Sequence, residues 1–147
     1  MSLRVQKINN GTVIDHIKPG KAFNVLKILG IDSDYTETVT IMMNARSKKF
    51  KKKDIVKIEN RYLEKKELDK ISLLSPHAKV NIIKNSEVVG KHEVEIPDTI
   101  SDVLLCTNPE CISNHEKIKT KFYVVSRNPL TMQCHYCERL VTELKFK

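Results

Sequence analysis

Four cysteines are the residues whose type and spacing most clearly indicate chemistry in this sequence. Four residues separate Cys106 from Cys111, two separate Cys134 from Cys137, and 22 lie between the two pairs. The chain has no other cysteine. Two loops that each present two thiolates suit Zn²⁺, which prefers four soft ligands in a tetrahedron at about 2.3 Å. The spacing predicts one structural metal site, with zinc favoured over iron.

Two disulfides or free buried thiols are the alternatives to a metal site. Residues 1–10 are polar and resemble no signal peptide, so an oxidising compartment is not expected and disulfides are disfavoured. His115 and His135 lie close to the cysteines in the sequence, but four thiolates already complete a structural site. We expect both histidines to lie beside the ligands or on the surface.

Catalytic motifs are absent from the sequence. A site closed by four sulfurs leaves no position for a water nucleophile, and there is no GxSxG, P-loop or GxGxxG motif. Asp15 and His16 are adjacent in a predicted strand, where simple alternation puts them on opposite faces and keeps them from acting as a dyad. We assign no catalytic residue and predict that the chain is not an enzyme.

Positive charge is concentrated in one short stretch. The 147 residues carry a formal charge of +8, of which residues 1–97 hold +7 and residues 98–147 hold +1. Most of the excess belongs to Arg46, Lys48, Lys49, Lys51, Lys52 and Lys53. The total charge supports an alternative hypothesis, a basic zinc-ribbon nucleic-acid-binding protein. Against it, the cysteine-bearing segment is close to neutral and lacks the aromatic and basic stripe used for base stacking. No apolar run approaches the ~18 residues of a membrane span.

The elements that position these residues can be read from turn residues and hydrophobic periodicity. Runs rich in β-branched residues predict strands at Leu3–Ile8, Thr12–Ile17, Thr36–Met43, Ile55–Ile58, Val80–Ile83 and Val88–Ile96. Helical spacing predicts one helix through Phe23, Leu26 and Leu29 and another through Leu63, Leu68, Ile71 and Leu74. Together they predict an α+β fold, a ferredoxin-like sandwich with two helices on one face of a mainly antiparallel sheet.

The last part of the chain is expected to be a separate small domain. Pro97, Asp98 and Thr99 suggest a boundary, which gives domains 1–97 and 98–147. The second domain is too short to bury a large core, so a metal cross-link is the expected remedy. Phe122–Val125 and Leu140–Phe146 predict strands of a β-rich zinc domain.

Several stretches of the chain are together similar to one protein family. They are GTVIDHI from Gly11, KD from Lys53 with KIEN from Lys57, EVVGK from Glu87, VL from Val103, CTN from Cys106, CIS from Cys111 and CHYCE from Cys134. These stretches span nearly the whole sequence in the right order. On these residues the chain resembles the regulatory chain of aspartate carbamoyltransferase.

The resemblance implies a cytoplasmic, non-catalytic subunit that regulates an enzyme of pyrimidine biosynthesis. Its first domain would bind nucleotide effectors, CTP and ATP with UTP as a further candidate, and would pair with a second regulatory chain. Its second domain would hold one Zn²⁺ and contact the catalytic chain. In that family three regulatory dimers join two catalytic trimers, and effectors shift a two-state equilibrium. Neither a membrane nor a nucleic acid is an expected partner.

The resemblance also implies a set of nucleotide-binding residues, drawn from the first strands, the central hairpin and the last strands of the first domain. They are Val5, Gln6, Lys7, Ile8, Val13, Asp15, His16, Lys53, Ile55, Lys57, Asn81, Ile83, Ser86, Val88 and Lys91. Lysine ammonium groups suit phosphate oxygens, and Asp15 can accept from a ribose hydroxyl. Ser86 stands where the family often has tyrosine, and Gln6 where it sometimes has an acidic residue.

Overall fold

The chain divides into two compact units. The computed structural model describes residues 8–48 and 51–147. Within it, contacts cluster into a first unit, Met1–Glu95, and a second unit, Ile96–Lys147. Each unit has its own sheet and its own buried residues, and each is described by itself.

The first unit is a five-stranded sheet with two helices. Its elements are β1 (Gly11–Ile17), α1 (Ala22–Ile28), β2 (Val39–Arg46), β3 (Lys52–Glu59), α2 (Lys65–Leu74), β4 (Lys79–Lys84) and β5 (Glu87–Glu93). The sheet order is β2-β3-β1-β4-β5, and every neighbouring pair is antiparallel. The first six elements form the β-α-β-β-α-β arrangement of ferredoxin-like folds, as predicted. The predicted strand Leu3–Ile8 lies outside the described residues except for Ile8.

The core of the first unit lies between the helices and one face of the sheet. Ile14 is opposite Val56 on one side and Val80 on the other, and all three are at most 2% exposed. They join one buried cluster with residues of both helices, including Val25 and Ile71. Because strand side chains alternate, this packing leaves the other face of the sheet uncovered by the helices.

One residue of the predicted helical stripe lies on the wrong side. Phe23 was expected to face inward with Leu26 and Leu29, but its side chain is 61% exposed. The buried residues of this segment are instead Ala22, Val25, Leu26 and Leu29, which follow the helical period from Ala22. Phe23 is displaced from that stripe by one residue, which is about 100° around the helix.

Asp54 ties the start of α1 to the central strands. Its carboxylate is fully buried and accepts hydrogen bonds from the backbone N–H groups of Gly20 (3.0 Å), Ala22 (3.2 Å) and Asn44 (2.9 Å). An acidic group near a helix start also interacts favourably with the unpaired N–H groups there. The residue therefore ties the start of α1 and the irregular part of β2 to β3.

We expect Asp54→Asn to destabilise the first unit by about 2–3 kcal/mol, because an amide nitrogen would face N–H donors and the charge that strengthens the bonds is lost. Urea unfolding monitored on the first unit measures the change. Asp34→Asn is the matched control, since Asp34 is exposed. Equal unfolding midpoints for the two variants would contradict the assigned role.

The second unit is a small four-stranded antiparallel sheet. Its strands are β6 (Thr99–Ser101), β7 (Lys121–Arg127), β8 (Leu130–Cys134) and β9 (Leu140–Val141), in the order β6-β7-β8-β9. The predicted strand at Phe122–Val125 is confirmed, whereas Leu140–Phe146 is a strand only over its first two residues. Phe146 makes a single bridge to Leu104. Strands β6 and β8 were not predicted from the sequence.

The second unit has a small apolar core. Apart from cysteines, its buried hydrophobic residues are Ile100, Val103, Leu104, Phe122, Met132 and Val141. Such a core is too small to stabilise an ordered segment of this length securely. No helix in residues 8–48 and 51–147 is both long and apolar enough to cross a membrane.

Candidate functional site

The four predicted ligand cysteines are brought together in the second unit. Their sulfur atoms all lie within 4.8 Å of one another, and they form the metal-ligand cluster found among the described residues. The Cys106 and Cys137 sulfurs are 3.7 Å apart, as are those of Cys111 and Cys134. A tetrahedron with metal–sulfur bonds of about 2.3 Å has edges of about 3.8 Å. A disulfide would need about 2.05 Å, so the thiols are free and can bind a metal ion.

Two loops present the four sulfurs. The loop between Cys106 and Cys111 is held by Asn114, whose side-chain amide donates to the carbonyls of Cys106 (3.0 Å) and Asn108 (2.8 Å). The second loop begins at the end of β8, where Gln133 donates through its side-chain amide to the Glu138 carbonyl (3.1 Å). These bonds orient the loop backbones around the four sulfurs.

The surroundings of the thiols determine which of them is ionised without a metal. Burial raises the pKa of Cys106 to about 12 and also raises that of Cys134. Burial acts in the same direction on Cys137, but hydrogen bonds from the Arg139 backbone N–H, the Asn108 side chain and the neighbouring Cys106 and Cys134 thiols together outweigh it, and the pKa of Cys137 falls to about 7. A metal ion that enters this cluster at neutral pH must therefore displace protons.

Both nearby histidines have partners other than the cysteine cluster. Nε2 of His115 donates to the Pro109 carbonyl (2.8 Å), and Nδ1 of His135 is hydrogen-bonded to the Tyr123 hydroxyl (2.8 Å). Their rings lie outside the cluster of four sulfurs. The geometry agrees with a closed four-sulfur site.

The first unit carries a cavity of about 320 Å³ on the sheet face opposite the helices. The residues that line it all belong to the predicted nucleotide-binding set: Ile8, Val13, Asp15, Ile55, Lys57, Asn81, Ile83, Ser86 and Val88. They come from four strands and two connecting segments. We call this surface the cavity face.

Strand register explains how the cavity face is assembled. Val13 on β1 is opposite Lys57 on β3 and Asn81 on β4, and Asn81 is opposite Lys91 on β5. Lys57 and Lys91 therefore lie at the two ends of this row of four residues, which crosses β3, β1, β4 and β5. Asp15 lies two residues further along β1, whereas Ile83 is opposite Gly11 at the other end of that strand. One end of the cavity is polar and the other is apolar.

The remaining predicted residues are placed beside the cavity or outside the described part of the chain. The Lys53 ammonium is 3.0 Å from the Asp15 carboxylate. His16 is next to Asp15, and its backbone N–H donates to that carboxylate (2.6 Å). Lys91 extends the row formed by Lys57 and Asn81. Val5, Gln6 and Lys7 lie outside the described residues.

The regular alternation assumed for Asp15 and His16 does not hold. The pairing of β1 with β3 shifts between Ile14 and Ile17, and His16 has a φ of 53°. An extra residue in a strand bends it and re-aims the neighbouring side chains. Simple alternation was therefore the wrong reason for placing the two side chains on opposite faces of the sheet. The two residues contact each other through the His16 backbone N–H and the Asp15 carboxylate.

Asn9 contacts the cavity residue Ser86, and this contact was not predicted from the sequence. The Ser86 hydroxyl donates to its side-chain oxygen (2.6 Å), and the Ser86 backbone N–H donates to its carbonyl (2.8 Å). Asn85 and Ser86 both have positive φ, as the two-residue turn between β4 and β5 requires. The residues are 77 positions apart, so no local signal in the sequence joins them.

The basic stretch is partly strand rather than only a loop tip. Arg46 ends β2, while Lys52 and Lys53 begin β3. Lys53 turns toward Asp15, whereas Lys48, Lys51 and Lys52 are exposed. Lys49 lies outside the described residues.

Comparison with known protein families matches both units. The model for the aspartate carbamoyltransferase regulatory chain, allosteric domain, matches residues 3–95. The model for the metal binding domain of the same chain matches residues 98–147. The two matches together cover nearly the whole sequence.

Individual relatives are similar over nearly their whole length. A protein of Methanococcus aeolicus named aspartate carbamoyltransferase regulatory chain is 54% identical over 144 residues, covering 98% of this chain and 92% of the relative. Proteins of the same name from Methanocaldococcus jannaschii and Thermococcus kodakarensis are 50% and 49% identical. Those alignments cover 99% and 97% of this chain and 96% and 93% of the relatives.

Proposed function

This chain belongs to the family of aspartate carbamoyltransferase regulatory chains, and from that premise we propose that it transmits the binding of nucleotide effectors to a catalytic chain. A regulatory chain is the non-catalytic subunit of such an enzyme. The full-length match favours this function over the nucleic-acid-binding alternative, which rested on the total charge alone.

The effector site is the cavity face, and the effectors are CTP and ATP, with UTP as a further candidate. The observation that carries this proposal is the agreement between the cavity lining and the nucleotide-binding residues implied by the family. Ile8, Ile83 and Val88 supply an apolar end that can flank a flat base. Asp15 and Lys57 supply a polar end for ribose and phosphate oxygens.

The ligand of the second unit is Zn²⁺, one ion per chain, held by Cys106, Cys111, Cys134 and Cys137. The sulfur spacing supports this proposal because two sulfur–sulfur distances of 3.7 Å match the edge of a zinc–thiolate tetrahedron, and all four sulfurs lie within 4.8 Å of one another. Zinc would stabilise the loops that contact the catalytic chain, and its four-sulfur site would be structural. The residues present would hold it as thiolates.

The assembly we propose contains two catalytic trimers joined by three regulatory dimers, in the cytoplasm. Effector binding changes enzyme activity only if the effector binds one state of the assembly more tightly than the other. The first unit therefore binds the effector. The second unit contacts the catalytic chain, and through that contact the difference in effector affinity between the two states changes enzyme activity.

Titration of the chain with CTP and ATP tests the effector site. We expect Lys57→Gln to weaken the binding of CTP and of ATP by about tenfold or more, because the variant loses a charge-assisted contact with a phosphate group. Lys65→Gln is the matched control, because Lys65 is an exposed lysine on α2 that pairs with Asp69. Failure of the unaltered chain to bind either nucleotide would refute the proposal, and equal affinity in Lys57→Gln would refute the assignment of Lys57.

A further inference from the structure

Four side chains of alternating charge form a row that starts at the polar end of the cavity and continues beyond it. Lys53, Asp15, Lys79 and Glu93 lie on β3, β1, β4 and β5, which are consecutive in the sheet. Asp15 is opposite Lys79, and Lys79 is opposite Glu93. Asp15 lines the cavity, and residues directly opposite in a sheet share a face. Lys79 and Glu93 therefore lie on the same side of the sheet as the cavity, outside its lining, and we call the four residues the charge row.

The charge row runs next to the row that contains both candidate phosphate-binding lysines. Lys79 is two residues from Asn81 on β4, and Glu93 is two residues from Lys91 on β5. Two residues along a strand separate side chains of one face by about 7 Å. A lysine side chain can span that distance, so Lys79 can reach an anion held by Lys57 and Lys91.

The two ion pairs of the charge row differ in strength. The Lys53 and Asp15 side chains are 18% and 25% exposed and approach to 3.0 Å. Those of Lys79 and Glu93 are 40% and 79% exposed, and their charged atoms are 3.8 Å apart. Solvent and salt screen an exposed, long pair strongly. A phosphate oxygen would make a shorter, charge-assisted bond, so Lys79 can exchange Glu93 for phosphate at little cost.

We propose that Lys79 and Glu93 form an outer subsite for the terminal phosphate of a nucleoside triphosphate. Lys79 contacts that phosphate, and Glu93 holds Lys79 when no terminal phosphate is present. Glu93 is a positioning residue. Its carboxylate competes with the terminal phosphate for the Lys79 ammonium group and, because both groups are negatively charged, repels that phosphate. The pair thereby sets how strongly the site prefers a triphosphate to a monophosphate of the same base. This inference rests on the proposed nucleotide binding at the cavity face.

Calorimetric titration of the full chain with CTP and with CMP, at low salt and without added divalent cations, tests the subsite. We expect Lys79→Gln to weaken CTP binding by about fivefold, the value of one screened charge contact, and to leave CMP binding unchanged. Glu93→Gln removes the competing carboxylate. It should strengthen CTP binding by about two- to fivefold, again without a change for CMP.

Variants of an equivalent ion pair on the helical side provide the controls. Lys65 and Asp69 on α2 are 3.2 Å apart, and Lys65→Gln and Asp69→Asn change the net charge in the same way. Both should leave the ratio of CTP to CMP affinity unchanged. An equal loss for CTP and CMP in Lys79→Gln, or an unchanged ratio, would overturn the subsite. If Lys79→Gln changed the ratio of CTP to CMP affinity but Glu93→Gln did not, the role of Glu93 would be overturned. If the unaltered chain bound neither nucleotide, the proposed function itself would fail.

Discussion

Replacing Cys111 with alanine is expected to unfold the second unit and to leave the first unit folded. The sulfur of Cys111 is buried and is 3.7 Å from that of Cys134. Structural zinc sites contribute about 10 kcal/mol or more of apparent folding free energy. The apolar core of the second unit is too small to compensate for that loss. Removal of the metal by a chelator should have the same consequence.

Amide hydrogen exchange measures this outcome separately for the two units. In Cys111→Ala, protection should be lost across Ile96–Lys147 and retained in the sheet and helices of the first unit. Ser113→Ala is the graded control, because the Ser113 hydroxyl lies 3.1 Å from the Cys111 sulfur and is not itself a ligand. That variant should bind metal more weakly but remain folded. Loss of protection in both units of Cys111→Ala would mean that the units do not fold separately.

Substitution of Gly11 by alanine is expected to destabilise the first unit by about 3–6 kcal/mol. Gly11 has a φ of +141°, which other residues rarely adopt, and strain of this kind costs about 1–3 kcal/mol. A Cβ atom at this position would also lie 2.1 Å from the Ile58 carbonyl oxygen. Because Gly11 pairs with Glu59 and Ile83, β3 and β4 would have to move to relieve the clash.

Two other glycines separate backbone strain from the clash. Gly20 has a φ of +87°, but a methyl group added there would meet no atom within 4 Å, so Gly20→Ala tests strain alone and should cost about 1 kcal/mol. Gly90→Ala would make only an ordinary contact with the Ile82 side chain at 3.5 Å and should be nearly neutral. In chemical denaturation, the unfolding midpoint of Gly11→Ala should be well below those of Gly20→Ala and Gly90→Ala. A midpoint for Gly11→Ala equal to that for Gly20→Ala would show that the strands absorb the methyl group.

The metal cluster and the main elements of the first unit could be predicted from the sequence because their signals are local. The two cysteines of each pair are close in sequence, and the strands through Ile14 and Val56 are rich in the β-branched residues that predict strands. Short strands of the second unit have no comparable signal. Thr99–Ser101 has three residues, and its strand geometry comes from pairing with β7.

The cavity face could not be derived from local patterns. Its residues come from four strands and meet only through register, as Val13 meets Lys57 and Asn81. The resemblance to a family supplied their identity. The bulge at His16 and the contact of Lys79 with Glu93 depend on the same long-range pairing. Neither feature can be predicted from the residues on either side of it in the sequence.

The most direct test of the account combines this chain with a catalytic trimer of aspartate carbamoyltransferase. Assembly mass is measured first, and aspartate saturation is then compared with and without CTP and ATP. The account predicts a complex larger than either component, in which nucleotides shift the aspartate concentration at half saturation. With nucleotide at a concentration near the Kd of the unaltered chain, Lys57→Gln should assemble normally and lose most of that shift. Failure to assemble, or saturation that no nucleotide changes, would contradict the account.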